Sequence, residues 1–412
     1  MKVKNQEEKN KKIVKKRKSE LGYREMLLIA DLYDLRYITT EQANRYYYVK
    51  EDGTNARMDW TYRKLNLLVK EGLLDTVLFP MNLRFKKLYY LTEEGINKAL
   101  DLRDEELFRL DLEGNLRQMY RSASENLLDE RDIRHQLFLN EIYFTFLTTL
   151  KREEFEWKDT AKSMIDESNI RLIPDATVTI NHINYLIEAD NDTISAKRLI
   201  KKMRMYNKFL EKTKDLDEEY KVLFICNTEK RKNKDKRIDS IIDVVTAEVP
   251  VCMRGIDFYV MSIENFRTNF YDRIYEQDVE DEKTLCETIT ERLADKSEKR
   301  YETDYKYNTL YGTGIATGAI IDGEHVYAIE DLTIGNIKNY QRFREAVKLA
   351  KYGQITPIAI VADENRARIE ADRLRYIPYA LFYLLDSEKI VSVLPDEIVE
   401  KGLKRTDKTL YY

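Results

Sequence analysis

Three carboxylates stand in an otherwise apolar and threonine-rich stretch near the middle of the chain. The stretch, residues 171–190, reads RLIPDATVTINHINYLIEAD, and its acids are Asp175, Glu188 and Asp190. Carboxylates within about 5–8 Å of one another repel, and a bound cation relieves that repulsion. Ligand sets made of oxygen alone favour Mg²⁺ or Mn²⁺ over zinc. Such a cation, with phosphate oxygens completing its shell, activates water for phosphodiester cleavage.

The residue types around the acids predict a β-hairpin. Residues 173–180 and 185–190 are rich in Val, Ile, Thr and Tyr, which favours strands, and residues 181–184 form a four-residue loop between them. Pairing across a hairpin brings residues that are distant in sequence side by side. The register therefore decides whether the acids meet.

We predict the register in which Ile180 pairs with Tyr185. Asp175 then lies opposite Asp190, and Glu188 lies diagonal to Asp175 on the same face, because side chains alternate along a strand. A slip of two residues keeps the acids together, whereas a one-residue bulge separates them. The alternative is an ordinary hairpin with a solvated polar face. The opposite face is the predicted core, made of Ala176, Val178, Ile180, Tyr185, Ile187 and Ala189.

The elements around the hairpin resemble the PD-(D/E)xK nuclease fold. A predicted helix, the strands that contain PDA and IEAD, the basic helix TISAKRLIKKMRMYNKFL and the strand KVLFIC follow one another in the order of that fold. The resemblance implies that Asp175 belongs to the PD half of the motif. Glu188 and Asp190 then occupy the (D/E)xK half.

The lysine of the motif is replaced, because position 190 is Asp. In some members of the superfamily the next helix supplies the lysine that orients or polarises the attacking water. The resemblance therefore makes Lys197 and Lys201, one helical turn apart, candidates for this role, and contacts with phosphate are the alternative. On the long apolar helix predicted at residues 131–150, Glu141 is a further candidate acid. His135 on the same helix is either a core or rim residue or a site residue.

The first hundred residues resemble a winged helix-turn-helix. Residues 23–35 carry apolar side chains near a 3.6-residue period, and a second helix begins at Glu41 with Thr39 or Thr40 as its cap. NARMDWTYRKLNLLVKEG predicts a third helix, with Met58, Tyr62, Leu65, Leu68 and Val69 on its apolar side. LLDTVLF and RFKKLYYLT, joined by PMNL, predict a hairpin, and the ending YYLTEEG is similar to the last wing strand of that family.

In winged helices the third helix enters the major groove and the wing touches the DNA backbone. Residues 1–20 add nine Lys or Arg against three Glu, which is either a solvated tail or a flexible arm that follows phosphates. Some winged helices bind only protein, but these basic residues favour double-stranded DNA. The resemblance implies DNA contacts from Arg57, Arg63 and Lys64 on the third helix and from Arg84, Lys86 and Lys87 on the wing.

The last third of the chain repeats the layout of the acidic hairpin. VYAIEDLTIGNIK aligns with NYLIEADNDTISAK, and TPIAIVADENRAR aligns with YKVLFICNTEKRK. The dipeptide DG supplies a two-residue turn. If Ile321 pairs with Glu324, then Thr313 takes the place of Asp175. The pattern predicts a second α/β lobe that lacks the first carboxylate, although any strand-strand-helix-strand unit shares this layout.

Composition limits the remaining classes. Charged residues make up 35% of the 412 residues with a net charge of −4, which neither demands nor excludes nucleic acid. Three cysteines without metal-ligand spacing fit a reducing compartment. No apolar run is long enough to span a bilayer and no signal peptide opens the chain, so we expect a cytoplasmic protein.

The expected fold class is mixed α/β, with an N-terminal winged helix followed by two nuclease-like lobes of which the second is degenerate. The expected segments are a basic flexible arm (1–20), the winged helix (21–100), a helical connector (101–130), the PD-(D/E)xK-like domain (131–275), a helical connector (276–300) and the second lobe (301–412).

A winged helix followed by a PD-(D/E)xK-like domain resembles the replication-relaxation proteins and the plasmid relaxases built on a restriction-endonuclease-like core. The resemblance covers about residues 20–230. It implies a mobile-element protein that binds double-stranded origin DNA and nicks one strand with Mg²⁺ or Mn²⁺. A homodimer and accessory mobilisation or replication proteins are further candidate partners. The alternative is a DNA-binding regulator of plasmid replication or maintenance with a catalytically inactive nuclease-like scaffold.

Overall fold

The chain forms two compact units, Met1–Thr148 and Thr149–Tyr412. The basic arm expected at residues 1–20 lies outside the described residues. A computed structural model describes residues 21–81, 84–104, 108–110, 116–118, 121–160, 165–167, 170–191, 195–213, 219–227, 234–248, 256–276, 279–297, 302–305, 317–322, 325–350, 352–353, 355–373, 380–393 and 409–411.

The first unit contains a winged helix. The strand order in its sheet is β1-β3-β2. Thr39 caps α2 by accepting from the backbone of Gln42, whose own side chain accepts from Thr39, so the predicted cap is confirmed as a capping box. In chain order the elements are α1 (Tyr23–Leu35), β1 (Ile38–Thr39), α2 (Thr40–Tyr46), α3 (Met58–Lys70), β2 (Leu74–Met81), β3 (Arg84–Leu91) and α4 (Glu93–Arg103).

The connector after α4 differs from the helix that the sequence predicts. Two strands, β4 (Phe108–Leu110) and β5 (Leu116–Gln118), pair in antiparallel fashion, and the short helix α5 (Ala123–Asn126) follows them. The charged residue pattern of this segment carries no apolar period that would distinguish a helix from a pair of short strands.

The long helix α6 (Glu130–Thr149) packs on the winged helix. Ile133 and Leu137 lie in one core cluster with Tyr37, Phe79 and Leu88. The side chain of Asn140 donates to the backbone oxygens of Leu35 and Tyr37, at 3.1 and 2.7 Å. The sequence analysis assigned this helix to the nuclease-like domain, whereas nearly all of it belongs to the first unit.

The second unit begins with a mixed sheet of strand order β12-β11-β10-β9-β6. Strands β6, β9 and β10 form an antiparallel meander, and β10, β11 and β12 run parallel through helical crossovers. The elements are β6 (Glu156–Asp159), β7 (Ile165–Glu167), β8 (Ile170–Leu172), β9 (Ala176–Ile180), β10 (Ile183–Asp190), α7 (Ala196–Thr213), β11 (Glu219–Cys226), α8 (Lys234–Glu248), β12 (Ile256–Ser262), α9 (Ile263–Asn269) and a π-helix (Phe270–Tyr275).

The rest of the unit repeats this topology. The pairings β13-β14 and β14-β15 are antiparallel and β15-β16 and β16-β17 are parallel, which matches β6, β9, β10, β11 and β12 pair by pair. The duplication that the sequence predicts is therefore present in the fold. Its elements are α10 (Val279–Ser297), β13 (Glu302–Tyr305), β14 (Gly318–Asp322), β15 (His325–Asp331), α11 (Ile337–Ala350), β16 (Ile355–Val361), α12 (Glu364–Arg373), β17 (Leu381–Leu384), β18 (Lys389–Val393) and β19 (Thr409–Tyr411).

One hydrophobic core joins the two lobes of the second unit. Met203 of α7 and Ile241 of α8 share it with Phe343 of α11 and Ala367 of α12. Leu186 of β10 also belongs to this core, so the strand that carries the acids is buried on both faces. The structure confirms the mixed α/β class with an N-terminal winged helix and two related lobes.

Candidate functional site

The acidic hairpin turns through two residues and not four. Ile180 pairs with Ile183, and the turn residues Asn181 and His182 both have positive φ angles, 46° and 68°. This is the backbone of a type I′ turn, which fits the twist of paired strands. The predicted loop was wrong because the turn lacks the glycine that usually marks it, although Asn tolerates this conformation.

The observed register differs from the predicted one by two residues, which preserves the assignment of faces. The predicted core face is confirmed, because all its members from Ala176 to Ala189 are buried. The other face is also buried at Leu186, Glu188 and Asp190. The acids of β10 therefore lie under helices and not on a solvated hairpin surface.

Asp175 lies beside Glu188 and not opposite Asp190. Its backbone nitrogen donates to the oxygen of Ile187 at 2.9 Å, and its Oδ2 accepts from the nitrogen of Ala189 at 2.8 Å. These two bonds fix the half-buried carboxylate at the edge of β10. The two-residue slip of the register moved the partner of Asp175 from position 190 to position 188.

Glu188 is fully buried and bound by two side chains of α7. Lys202 forms an ion pair with its Oε2, and the hydroxyl of Tyr206 donates to its Oε1 at 2.6 Å. Burial raises the pKa of Glu188, Lys202 opposes the shift and the negative charge of Asp175 adds to it, and the resulting pKa is about 7. Burial acts to lower the pKa of Lys202, but the charges of Glu188 and Asp175 hold it above its usual range. Asp175, Glu188, Lys202 and Tyr206 therefore form one electrostatic cluster.

The lysine that reaches the acids is Lys202, whereas Lys197 and Lys201 are exposed on the outer face of α7. The structure therefore places Lys202, and neither Lys197 nor Lys201, beside the acids. Leu199 and Met203 are buried one turn apart, and Lys202 stands next to that stripe, four residues before Tyr206. The buried stripe was the sequence signal that could have identified Lys202.

Asp190 is bound by an arginine from α8. Arg237 donates to both carboxylate oxygens, through Nε at 2.7 Å and Nη2 at 2.8 Å, and Asp190 is 1% exposed. The bidentate guanidinium of Arg237 therefore supplies the positive charge for which we predicted a metal ion. Within the described part of the chain, no group of three or more His, Cys, Asp or Glu side chains is arranged to hold a metal ion.

Glu141 is occupied within the first unit. It accepts from Gln42 Nε2 at 3.0 Å and from the hydroxyl of Tyr46 at 3.2 Å, and Arg45 lies 3.5 Å away. These contacts tie α6 to α2, which is a structural role. His135, on the same helix, is half-buried.

The second lobe carries a different version of the acidic cluster. Glu330 occupies the position of Glu188 and binds Arg342 of α11 through both oxygens, at 2.7 and 2.9 Å. Burial raises the pKa of Glu330 to about 7, with Arg342 opposing the shift. Thr317 stands where the first lobe has Asp175, and its hydroxyl lies 3.4 Å from Glu330.

The predicted register of the second hairpin was also wrong by two residues. Asp322 pairs with His325, and not Ile321 with Glu324. Thr313, predicted at the place of Asp175, lies outside the described residues. The expected loss of the first carboxylate holds nonetheless, because the residue at that place, Thr317, is again a threonine.

The candidate DNA-contacting residues at α3 are paired, and Arg57, its N-cap, and Arg63 are exposed whereas Lys64 is half-buried. Asp59 lies between Arg57 and Arg63, at 3.1 and 3.0 Å. Lys64 pairs with Glu25 at 3.1 Å. The helix buries Thr61, Leu65 and Leu68, whereas Met58 and Tyr62, predicted on its apolar side, are each 46% exposed.

The candidate residues on the wing lie in the first half of β3. Lys86 pairs with Glu41 at 2.9 Å, and Lys87 donates to Asn66 Oδ1 at 2.9 Å. Arg84 is exposed at the first position of the strand. An exposed ion pair such as Lys86–Glu41 is worth about 1 kcal/mol or less, so Lys86 can exchange its partner for phosphate at little cost.

Comparisons with known proteins found one family model that is similar to part of the chain. Residues 29–222, just under half of the chain, match the model of the replication-relaxation family, which confirms that resemblance for this segment. The crystal structure of Bacillus subtilis PadR in complex with operator DNA is similar at a TM-score of 0.16 and 14% identity, covering 54% of this chain and 90% of that one. No curated protein matches. Among the described helices, none combines the length and apolar character needed to cross a bilayer.

Proposed function

We propose that this chain, a replication-relaxation protein over residues 29–222, binds a specific duplex DNA sequence of a mobile element and nicks one strand with Mg²⁺ or Mn²⁺. The first unit supplies DNA binding, and the first lobe of the second unit supplies the nuclease site. Asp175 and Glu188 are the proposed metal ligands, with Lys202 as the assisting lysine. Asp190 is left out of the ligand set because Arg237 binds both its oxygens.

One observation carries this proposal: Asp175, Glu188 and Lys202 converge on one face of β10. Glu188 lies on β10, Asp175 immediately precedes the paired strand β9, and Lys202 comes from the helix that follows. This combination of residue types is the one that the PD-(D/E)xK motif requires, with the lysine moved from the strand to the helix. The second lobe lacks Asp175 and Lys202 equivalents, since Thr317 and Arg342 replace them.

The residues present fit a magnesium-type ion. Mg²⁺ is commonly held by one or two carboxylates, with water and substrate phosphates filling its other positions, so two acids are sufficient. Asp175 is half-buried whereas Glu188 is fully buried, so Asp175 is the more solvent-accessible of the two proposed ligands. A bound ion of this class supplies an activated water and stabilises negative charge on the phosphate.

The protein residues prepare the site for that ion. Glu188 must be ionised to serve as a ligand, and its pKa of about 7 places this ionisation near neutral pH. The hydroxyl of Tyr206 orients Oε1 of Glu188, and Lys202 compensates the negative charge of both acids. A cation held by Asp175 and Glu188 would share that compensation with Lys202.

DNA binding is proposed for the exposed surface of α3 and the wing. Arg57 and Arg63 on α3 and Arg84 and Lys86 on the wing are solvent-accessible cations carried by two elements of one winged helix. In this class of domain, the helix reads base edges and the wing contacts phosphates.

The test is a nicking assay on supercoiled plasmid carrying candidate origin DNA. The full chain is incubated with Mn²⁺, with Mg²⁺ and with EDTA, and the conversion to open circles is followed. We expect metal-dependent nicking by the natural chain and its loss in Asp175→Ala, while duplex affinity measured by fluorescence anisotropy is unchanged. Binding in the absence of cleavage under any metal condition would reject the nuclease half of the proposal.

A second candidate function has its own support. Arg237 neutralises Asp190 and Lys202 neutralises Glu188, so the described acids of β10 are balanced by protein cations. A scaffold balanced in this way can also serve a DNA-binding regulator of plasmid replication or maintenance that cuts nothing. Isothermal titration with Mn²⁺ separates the two: the nuclease binds the ion at Asp175 and loses it in Asp175→Ala, and the regulator shows no site.

A further inference from the structure

The wing exposes two large apolar side chains on one face. Leu78 of β2 is 67% exposed and Phe85 of β3 is 72% exposed. Leu78 pairs with Lys87 and Phe85 pairs with Pro80, so the two apolar side chains are diagonal neighbours on the same side of the hairpin. An exposed apolar pair on a narrow two-stranded projection is not required for the stability of the unit.

The other face of the wing already has its packing partner. Phe79 and Leu88 are buried in a cluster with Tyr37 and with Ile133 of α6. Near its tip the hairpin packs through Phe79, and Leu78 and Phe85 project from the opposite face. Wing residues chosen only to support the fold would place polar side chains there.

The exposed face continues to the proposed DNA-reading helix. Lys87, the partner of Leu78, holds its Nζ 5.4 Å from the ring centroid of Tyr62 on α3. The same lysine donates to Asn66, one turn further along α3. Tyr62 is itself 46% exposed. Apolar and aromatic side chains therefore extend from α3 along the wing.

The charge of the wing identifies the chemistry of its partner. Arg84, Lys86 and Lys87 surround Phe85 in the run RFKK, and residues 76–91 contain no Asp or Glu. Duplex DNA matches this combination. Its phosphates attract the cations, and the faces of its stacked bases can contact the apolar side chains. A second copy of the chain matches it less well, because a two-fold interface would bring the cations of two wings together.

We propose that the wing inserts Phe85, supported by Leu78, between adjacent base pairs of duplex DNA. The proposal rests on the proposed DNA-binding function and adds a distortion to it. Wedges of Phe or Leu partly unstack a base step and bend the duplex, and contacts with flanking phosphates offset the lost stacking. Lys87 lies on the same face as Phe85, and Arg84 and Lys86 flank Phe85 in the strand on the opposite face, so cations on both faces of the wing are available for those contacts.

The experiment follows the stacking of single bases in short A·T-rich duplexes that each carry 2-aminopurine at one position. The full chain is added at saturating concentration, as verified by anisotropy on the same samples. We expect the fluorescence of one position to rise at least about twofold as its base loses a stacking neighbour. Phe85→Ala abolishes the rise even at saturation and lowers affinity about tenfold. Phe85→Trp retains the rise.

The matched control is Tyr23→Ala, which removes an aromatic side chain that is 71% exposed on α1 and leaves the wing intact. It retains both the rise and the affinity. Saturated binding without any rise, or a rise that survives in Phe85→Ala, overturns the wedge and leaves the DNA-binding function standing. Absence of DNA binding by the natural chain overturns both. Conversion of a dimer into a monomer by Phe85→Ala, with unchanged 2-aminopurine signals, assigns the surface to self-association and overturns the wedge.

Discussion

Arg237 of α8 donates to both carboxylate oxygens of Asp190, and both hydrogen bonds are shorter than 3 Å, at 2.7 and 2.8 Å. Glu188 lies two residues before Asp190 on the same face of β10 and pairs with Lys202 of α7. The two acids differ in what surrounds them. Asp190 has one partner that satisfies both oxygens, whereas Glu188 shares its surroundings with the half-buried Asp175. Asp190 therefore belongs to the scaffold and Glu188 to the proposed site.

Replacing Arg237 with Gln should lower the free energy of unfolding by about 3–5 kcal/mol, because it leaves the carboxylate of Asp190 buried without its counter-charge. Urea unfolding of the full chain, followed by circular dichroism, measures this loss. The matched control is Arg204→Gln on α7, because the side chain of Arg204 is 66% exposed in its pair with Glu248. That exposed pair should contribute about 1 kcal/mol or less. Equal losses in the two variants would contradict the scaffold role of Asp190.

Replacing Lys202 with Met should reduce the rate of metal-dependent nicking by about 100-fold or more, because the site loses the cation that assists the attacking water. Lys201→Met is the matched control, since Lys201 is the neighbouring residue on α7 and is exposed. It should cleave at the natural rate. Single-turnover cleavage at saturating enzyme measures both, and anisotropy verifies that neither change alters DNA affinity. A loss of rate in Lys201→Met equal to that in Lys202→Met would contradict this assignment.

The two-residue alternation of side chains explains which parts of the site could be predicted from sequence. The core face of the β9–β10 hairpin was identified correctly because a register error of two residues leaves every face unchanged. For the same reason the pattern of apolar residues does not distinguish the two registers, because loops of two and four residues place the same side chains on each face. Asp175 was consequently placed opposite Asp190 when it lies beside Glu188.

Long-range partners account for the rest of the differences. Arg237 lies 47 residues from Asp190 in the sequence, and no local pattern links a helix residue to a strand residue at that distance. Helix α6 is apolar on much of its surface, and its sequence does not show that the winged helix buries it. The case of Lys202 is local, because the spacing of the lysines alone favours Lys197 and Lys201, whereas the buried stripe of Leu199 and Met203 favours Lys202.

The pKa of Glu188 gives a specific dependence of stability on pH. Its folded value is about 7, above the ordinary value of 4.5, so between these values the folded chain holds a proton that the unfolded chain has released. The contribution of Glu188 to the free energy of unfolding is therefore fully present below pH 4.5 and is lost as the pH rises toward 7. The expected loss is on the order of 1–3 kcal/mol, and Glu188→Gln should remove it.

Urea unfolding in steps of pH across this window measures that change. Glu156→Gln, which alters a carboxylate of β6 that is 63% exposed, is the matched control and should keep the slope of the natural chain. An identical slope in the natural chain and in Glu188→Gln would show that Glu188 does not carry the proton. Added Mn²⁺ should reduce the slope of the natural chain, because a cation bound to Glu188 favours its ionised form.

Asp59 limits the positive charge that α3 presents to DNA, because it pairs with both Arg57 and Arg63. Asp59→Asn should release both guanidinium groups to phosphates. We expect affinity for duplex DNA to rise about fivefold to tenfold at moderate salt and the slope of log K against log salt to steepen by about one to two. Asp101→Asn on α4, where Asp101 is 70% exposed and pairs with Lys98, is the matched control and should change neither value.

The opposite outcome for Asp59→Asn is equally informative about the helix. Carboxylates on a reading helix accept hydrogen bonds from the amino group of cytosine, and an adjacent arginine donates to guanine. If affinity falls and the preference between DNA sequences weakens, then the Asp59 carboxylate contacts a base and α3 reads sequence through the Asp59–Arg63 pair. If affinity for duplex DNA rises and the preference between DNA sequences is unchanged, then Asp59 weakens non-specific binding. The other contacts of α3 then determine which DNA sequence is bound.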